Sequence, residues 1–260
     1  MSDTSLMTVR IENHVAIVTL NNPPANAISE KMIAELDEVF KELGDNPEAK
    51  VILLHGEGKF FAAGADIKEF TEMTHANEFR ETAREGQRVF RMIETLSKPV
   101  IAVIHGAALG GGLELAMACH MRLVTPSTKL GLPELNLGLI PGFAGTQRLP
   151  RIVGHGKALQ MTLTSDPISG EEAVAFGLAN QLVSEEDPLE DALKIAGKMA
   201  AKPAKNLAAI LELIHEAERD SLERGQEKEA VLFGDLAETK NAAEGIRAFL
   251  EKRPPKFEDR

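Results

Sequence analysis

The sequence holds one cysteine in 260 residues, Cys119. A single thiol closes no intramolecular disulfide and builds no cysteine-based zinc site. Basic residues are in deficit. Lys plus Arg number 29 against 40 Asp plus Glu, a formal net charge of -11. Nucleic-acid binding by phosphate neutralisation calls for the opposite balance. A polyanionic small ligand remains compatible, because local Lys or Arg and helix N-termini act at short range. Long apolar runs are also missing, and none approaches the ~20 residues of a membrane-spanning helix. Met1-Ser2-Asp3-Thr4 shows no basic segment leading into an apolar core, so no signal peptide is expected. The seven histidines form no cluster with metal-ligand spacing. These absences together lead to the expectation of a cytoplasmic protein without membrane, nucleic-acid or metal partners.

What is present is an ordinary globular balance, 43% hydrophobic and 27% charged. A chain of this length buries roughly three quarters of its unfolded surface and needs no staples. Residues 7–11 and 15–20 read as two strands joined at Asn13-His14. Ser29 is expected to cap a helix bearing Ile33, Leu36, Val39, Phe40 and Leu43, with Gly44 as its end. Buried strands are expected at 51–54, 100–104 and 121–124. Helices are expected over 66–73, 77–96 and 113–119. Alternating apolar strands and amphipathic helices imply a largely parallel sheet with covering helices. Past residue 143 the only strand signal is 180–183. Ser169-Gly170-Glu171-Glu172 reads as a capping box. Helical patterns follow at 188–201, 204–223, 226–238 and 241–251.

Several motifs fail. Gly106 to Gly112 has neither dinucleotide-binding spacing nor the Lys-Ser/Thr pair of a phosphate loop. No serine has the flanking glycines of a nucleophile elbow. His215-Glu216 begins a zinc-protease pattern, but position 219 is Arg. Cys119-His120 reads as a buried thiol beside a histidine that points elsewhere.

Three loops carry the remaining signal. Phe61-Ala62-Ala63-Gly64-Ala65-Asp66 follows a strand, and its small residues let a ligand approach the backbone. Gly110-Gly111-Gly112 precedes a helix whose free N–H groups sit at a positive dipole end. Glu114 stands in that helix among apolar neighbours, where a carboxylate is costly unless paired or protonated. Glu134 lies in a similarly apolar stretch, Gly131 to Gly142. Two such carboxylates can divide acid and base roles if they share one small site.

In these residues the chain resembles the enoyl-CoA hydratases of the crotonase superfamily. The likeness is carried by Phe60 to Glu69, Lys98 to Gly106, Gly110 to Met117, Leu132 to Gly142 with Gly145-Thr146-Gln147-Arg148-Leu149, and the tail Ala248 to Arg253. The resemblance implies an α/β fold: a crotonase-like ββα spiral core over 1–190 and a helical region over 191–260 used in trimerisation. It implies that the N–H groups of Ala65 and Gly111 hold a CoA thioester carbonyl. It casts Glu114 and Glu134 as the catalytic pair and Gly142 as the neighbour of the catalytic water. Ala63 and Lys68 fall in the stretch lining the CoA site. Phe233 and Lys252 align with residues that approach the adenine end, often from a neighbouring subunit. Phe143 departs from the small residue of many relatives, with consequences for chain length or water access.

The implied reaction is hydration of a trans-2-enoyl-CoA to a 3-hydroxyacyl-CoA, in a homotrimer or homohexamer. No cofactor is implied, since coenzyme A belongs to the substrate. Three alternatives stand beside it. An isomerase or another acyl-CoA lyase of the superfamily would be separated by its products. An RNA-binding member would need a basic face, and Lys252-Arg253-Pro254-Pro255-Lys256 is short and flanked by acids. A non-catalytic assembly subunit would be trimeric but inactive.

Overall fold

The structure, a computed structural model, describes residues 5–217 and 219–259. β1 (Met7–Glu12) and β2 (Val15–Leu20) form an antiparallel hairpin. Its turn residues Asn13 and His14 have φ of 49° and 65°, the handedness that matches strand twist in a two-residue hairpin. Ser29 caps α1 (Glu30–Asp45) by accepting from the Met32 N–H. Gly44 does not end this helix, contrary to the sequence expectation. The helix runs on to Asp45, and Gly44 fits against Leu96, whose Cδ1 would stand 3.2 Å from an added Cβ.

The chain continues through β3 (Val51–Gly56), α2 (Ile67–Glu72), α3 (Ala76–Glu94), β4 (Val100–Ile104), β5 (Ala107–Leu109) and α4 (Gly111–Ala118). Then come β6 (Met121–Val124), β7 (Lys129–Gly131), a single 3-10 turn at Glu134–Leu137, α5 (Gly145–Thr164), β8 (Ile168–Ser169) and α6 (Gly170–Ala175). The last elements are β9 (Gln181–Leu182), α7 (Pro188–Ala200), α8 (Ala204–Ala217), α9 (Leu222–Ala237) and α10 (Lys240–Leu250).

The main sheet has the order β1-β2-β3-β4-β6-β9, and every pairing after the first is parallel. Its central strands are apolar on both faces because both faces are covered. Ala16, Val18, Leu20, Ile52, Leu54, Val100, Ala102 and Ile104 pack toward α1, α3 and α4. The alternate residues Val15, Ile17, Val51, Leu53, Ile101 and Val103 pack against Ala192, Ala196 and Ala200 of α7. Position 190, the boundary read from sequence, therefore falls inside a helix that closes the sheet's second face. Each fully buried Val, Leu or Ile side chain among these contributes ~1.5–3 kcal/mol. α4 is buried all round, as expected of a helix without a polar face.

Three features escaped the sequence reading. α5 was not expected, because Pro150, Gly154 and Gly156 interrupt its apolar period. Gly154 leaves helical geometry, with φ 77° and ψ 159°. β5, β7 and β8 form a second, small sheet and are too short to show alternation. The run expected as one helix over 204–223 is two elements, with Ser221 capping α9. Among the described residues no helix is long and apolar enough to cross a membrane.

The loops after β3 and β4 are tied to each other by main-chain bonds. The Ala62 N–H donates to Ala107 O and the Leu109 N–H to Ala62 O, at 3.2 and 3.1 Å. α4 starts against this ladder. A Cβ on Gly112 would stand 2.1 Å from the Ala62 carbonyl oxygen, and neither backbone can yield. Gly112→Ala is therefore expected to lose ~1–3 kcal/mol or more to overpacking, read as a lower urea midpoint with unchanged slope.

Candidate active site

The loop after β3, parts of α2 and α3, the start of α4 and the segment 133–143 surround one cavity of about 300 Å³, beyond the C-terminal ends of β3 and β4. Open α/β sheets place ligand chemistry at this end of their strands. The inner wall is made by buried residues: Gly110, Gly111, Glu114 and Phe143. The outer wall is apolar and partly open, with Ile67, Phe70, Phe79, Leu137 and Ile140.

Glu114 is 1% exposed. It sits in the first turn of α4, where the helix dipole favours negative charge. Its Oε1 accepts from the N–H of Phe143 at 2.8 Å and the N–H of Gly145 at 2.7 Å. Burial raises its pKa to about 7, and the charge of Glu134 adds to this. The two N–H donors and the Arg148 charge act in the opposite direction. Arg148 is itself buried and donates to Phe143 O at 2.9 Å while pairing with Glu94 at 3.2 Å. Burial alone would raise the Glu94 carboxyl, but Arg148 and then Arg91 hold it below the usual range. From α3, Gln87 Nε2 donates to Gly142 O at 2.8 Å. The loop 142–145 is thus held from three sides.

Glu134 opens the 3-10 turn. Its pKa is raised by burial, and its Oε2 is buried with no hydrogen-bond partner among the described residues. Its other oxygen lies over Gly110, where a Cβ would come within 3.0 Å. Gly110 has φ 50° and ψ -126°, a conformation that L side chains rarely adopt. The backbone conformation calls for glycine there, and a Cβ would also press on the Glu134 carboxylate.

The N–H groups of Ala65 and Gly111 find no acceptor among the described residues. The Ala65 nitrogen is 3.5 Å from where a Gly111 Cβ would stand. Two main-chain N–H groups without a protein acceptor thus belong to residues that line the cavity, beside two carboxylates of raised pKa.

Of the residues singled out from sequence, Ala63, Ala65, Gly111, Glu114, Glu134, Gly142 and Phe143 all line this cavity. Lys68 is exposed on α2 and lies outside the lining. Phe233, 75% exposed on α9, and Lys252, past the end of α10, stand on the surface. Sequence reasoning missed Thr82, Ala83 and Gly86 of α3. Phe79, Thr82 and Ala83 line the cavity, and Gly86 continues their helical spacing of three and four, a signal that was available. It also missed Arg148 and Gln87, whose roles depend on contacts across the fold.

The family model described as "Enoyl-CoA hydratase/isomerase" matches residues 10–260. The chain belongs to the enoyl-CoA hydratase/isomerase family. The probable enoyl-CoA hydratase of Bacillus subtilis (strain 168) is 48% identical, over 96% of this chain and 98% of its own length. The crotonyl-CoA hydratase of Syntrophomonas wolfei is 41% identical over 95% of each. The crystal structure of an enoyl-CoA hydratase from Bacillus anthracis superposes with a TM-score of 0.94 at 35% identity, covering 98% of this chain and 100% of that one. The crotonase-like fold with a helical C-terminal region, expected from the resemblance, is borne out.

Membership of this family leaves the electrostatics of Glu114 open to a direct test. The unfolded chain ionises Glu114 near pH 4.5, whereas the fold retains its proton up to about pH 7. A folded-state pKa raised above the unfolded value costs stability as pH climbs through that window, and the loss is constant above it. Glu114→Gln keeps an oxygen for both N–H donors and removes the titration. The stability of the variant relative to wild type is expected to rise by about 3 kcal/mol from pH 4.5 to pH 8, at 1.36 kcal/mol per unit. Urea unfolding at the two pH values measures this. An unchanged difference would mean that the folded protein already holds Glu114 ionised at low pH.

Proposed function

We propose that this protein adds water across the double bond of a trans-2-enoyl-CoA, giving a 3-hydroxyacyl-CoA. The observation that carries the reading is the meeting, in one cavity, of a buried carboxylate (Glu114), a half-buried one (Glu134) and two unpaired main-chain donors. The hydratase names of relatives similar over almost the full length support the same reaction.

The chemistry follows from charge. When water attacks the β-carbon, the electrons of the double bond move toward the thioester oxygen. The N–H groups of Ala65 and Gly111, at the start of α4, would receive that developing charge. Fixed donors on the buried inner wall stabilise it without reorganising. Glu114 Oε1 is engaged by two N–H groups, which leaves Oε2 to take the proton of the attacking water. Those same donors favour the ionised form of Glu114 and suit it to act as base. Glu134 has a buried oxygen with no partner, which favours its protonated form and suits it to deliver a proton to the α-carbon. The charge of Glu134 raises the Glu114 pKa, so the two carboxylates titrate as a pair.

Ala63 and Gly142 line the cavity, which supports their contact with the acyl-CoA and the water. Lys68 follows the lining residue Ile67, which supports an ammonium contact with the nucleotide phosphates. Ile214, Phe233, Ile246, Phe249 and Leu250 are each at least 65% exposed on α8–α10. This apolar surface supports assembly into a trimer or hexamer, with Phe233 and Lys252 serving a neighbouring subunit's nucleotide end.

Purified protein with crotonyl-CoA is expected to consume the conjugated double bond, followed by absorbance, and to yield the 3-hydroxy product. Glu114→Gln and Glu134→Gln are each expected to lower kcat ~100-fold or more, the range of general acid–base steps. Turnover within about threefold of wild type in either variant would overturn the two-carboxylate account.

A further inference from the structure

We infer that Phe143, seated against Gly86 of α3, is the stop that sets how deep an acyl chain can enter, so that the enzyme prefers short enoyl groups. The inference rests on the proposed hydratase reading and concerns the specificity of the same cavity.

The geometry is that of a ring held edge to edge between two glycines. One edge faces α3: a Cβ on Gly86 would fall 2.3 Å from Phe143 Cδ1 and 2.5 Å from Cε1. The opposite edge faces α4: a Cβ on Gly111 would fall 3.2 Å from Cε2 and 3.3 Å from Cδ2. Phe90 fixes the tilt, with ring centroids 5.4 Å apart and planes at 69°, the edge-to-face arrangement that aromatic pairs favour. Phe143 is 5% exposed, while Ile140 and Leu137 across the cavity are 72% and 57% exposed. The ring is therefore part of the deep wall, on the same side as Gly111 and Glu114, and not part of the mouth.

A fatty acyl tail anchored by its carbonyl at Gly111 starts beside this ring. Space beyond the ring is closed by Gly86 and Phe90. Gly86 is an unfavourable residue for the middle of a helix, and its missing side chain is what gives the ring its place. Any side chain there would drive the ring away from α3, into the cavity and toward the carbonyl-binding donors.

The test is a double-mutant cycle read on a series of trans-2-enoyl-CoAs with 4, 6, 8 and 10 carbons. Phe143→Ala is expected to raise the ratio of kcat/KM for eight carbons over four carbons at least tenfold, since one added methylene in an apolar pocket is worth ~10–200-fold. Gly86→Ala is expected to lower kcat/KM for every chain length, most for the longest. In the Phe143→Ala background the same Gly86→Ala change is expected to cost less than twofold, because the displaced ring is gone. Should Phe143→Ala fail to fold, Phe143→Leu carries the same test with a smaller opening. A ratio within twofold of wild type in the folded Phe143 variant, or an equal cost of Gly86→Ala in both backgrounds, would overturn the inference. If wild type hydrates none of the series, the hydratase reading fails instead. The seat itself is then judged by the same cycle on thermal unfolding, where coupling between positions 86 and 143 supports it and additivity overturns it.

Discussion

Two N–H groups, those of Phe143 and Gly145, converge on one oxygen of Glu114. The rest of the site is arranged around this contact. A carboxylate with 1% exposure is costly unless donors replace its lost water. The loop 142–145 supplies them, and the fold holds that loop in several ways at once. Arg148 takes the Phe143 carbonyl, Gln87 takes the Gly142 carbonyl, and the Phe143 ring is wedged under α3. None of these groups is an obvious reactant. Each fixes the place of a carboxylate that is held between its charged and neutral forms near physiological pH.

The sheet explains why the reacting groups come from distant parts of the chain. Parallel strands bring the loops after β3 and β4 to the same edge, and a short main-chain ladder from Ala62 to Ala107 and Leu109 locks them in register. Ala65 and Gly111 thereby become neighbours, although 46 positions separate them in the numbering. The 3-10 turn then brings Glu134 over Gly110. A site whose donors are main-chain atoms needs such rigidity, since a shift of about 1 Å can cost ~100-fold in rate.

Much of this was legible in advance. The buried strands read as continuous apolar runs because both faces are covered, and the hairpin, the Ser29 cap and the Ser169 capping box follow from local chemistry. Glu114 was conspicuous as a lone acid in an apolar helix. α5 was not legible, because Pro150 and two glycines break the pattern that a helix normally shows. The strands of the small sheet were too short to alternate. Gly44 looked like a helix stop but serves packing against Leu96. The surface positions of Lys68, Phe233 and Lys252 show how a family resemblance names residues without saying what each touches within one chain.

The sequence by itself determined the class of fold, the two acidic residues and the glycine-rich turn, because periodicity, burial cost and backbone freedom are written locally. Only the tertiary structure decided that both carboxylates line one cavity, that Arg148 and Gln87 brace its loop, and that Gly86 makes room for Phe143. Those facts depend on contacts between segments far apart in the chain, and no local pattern encodes the distance across which two side chains finally meet.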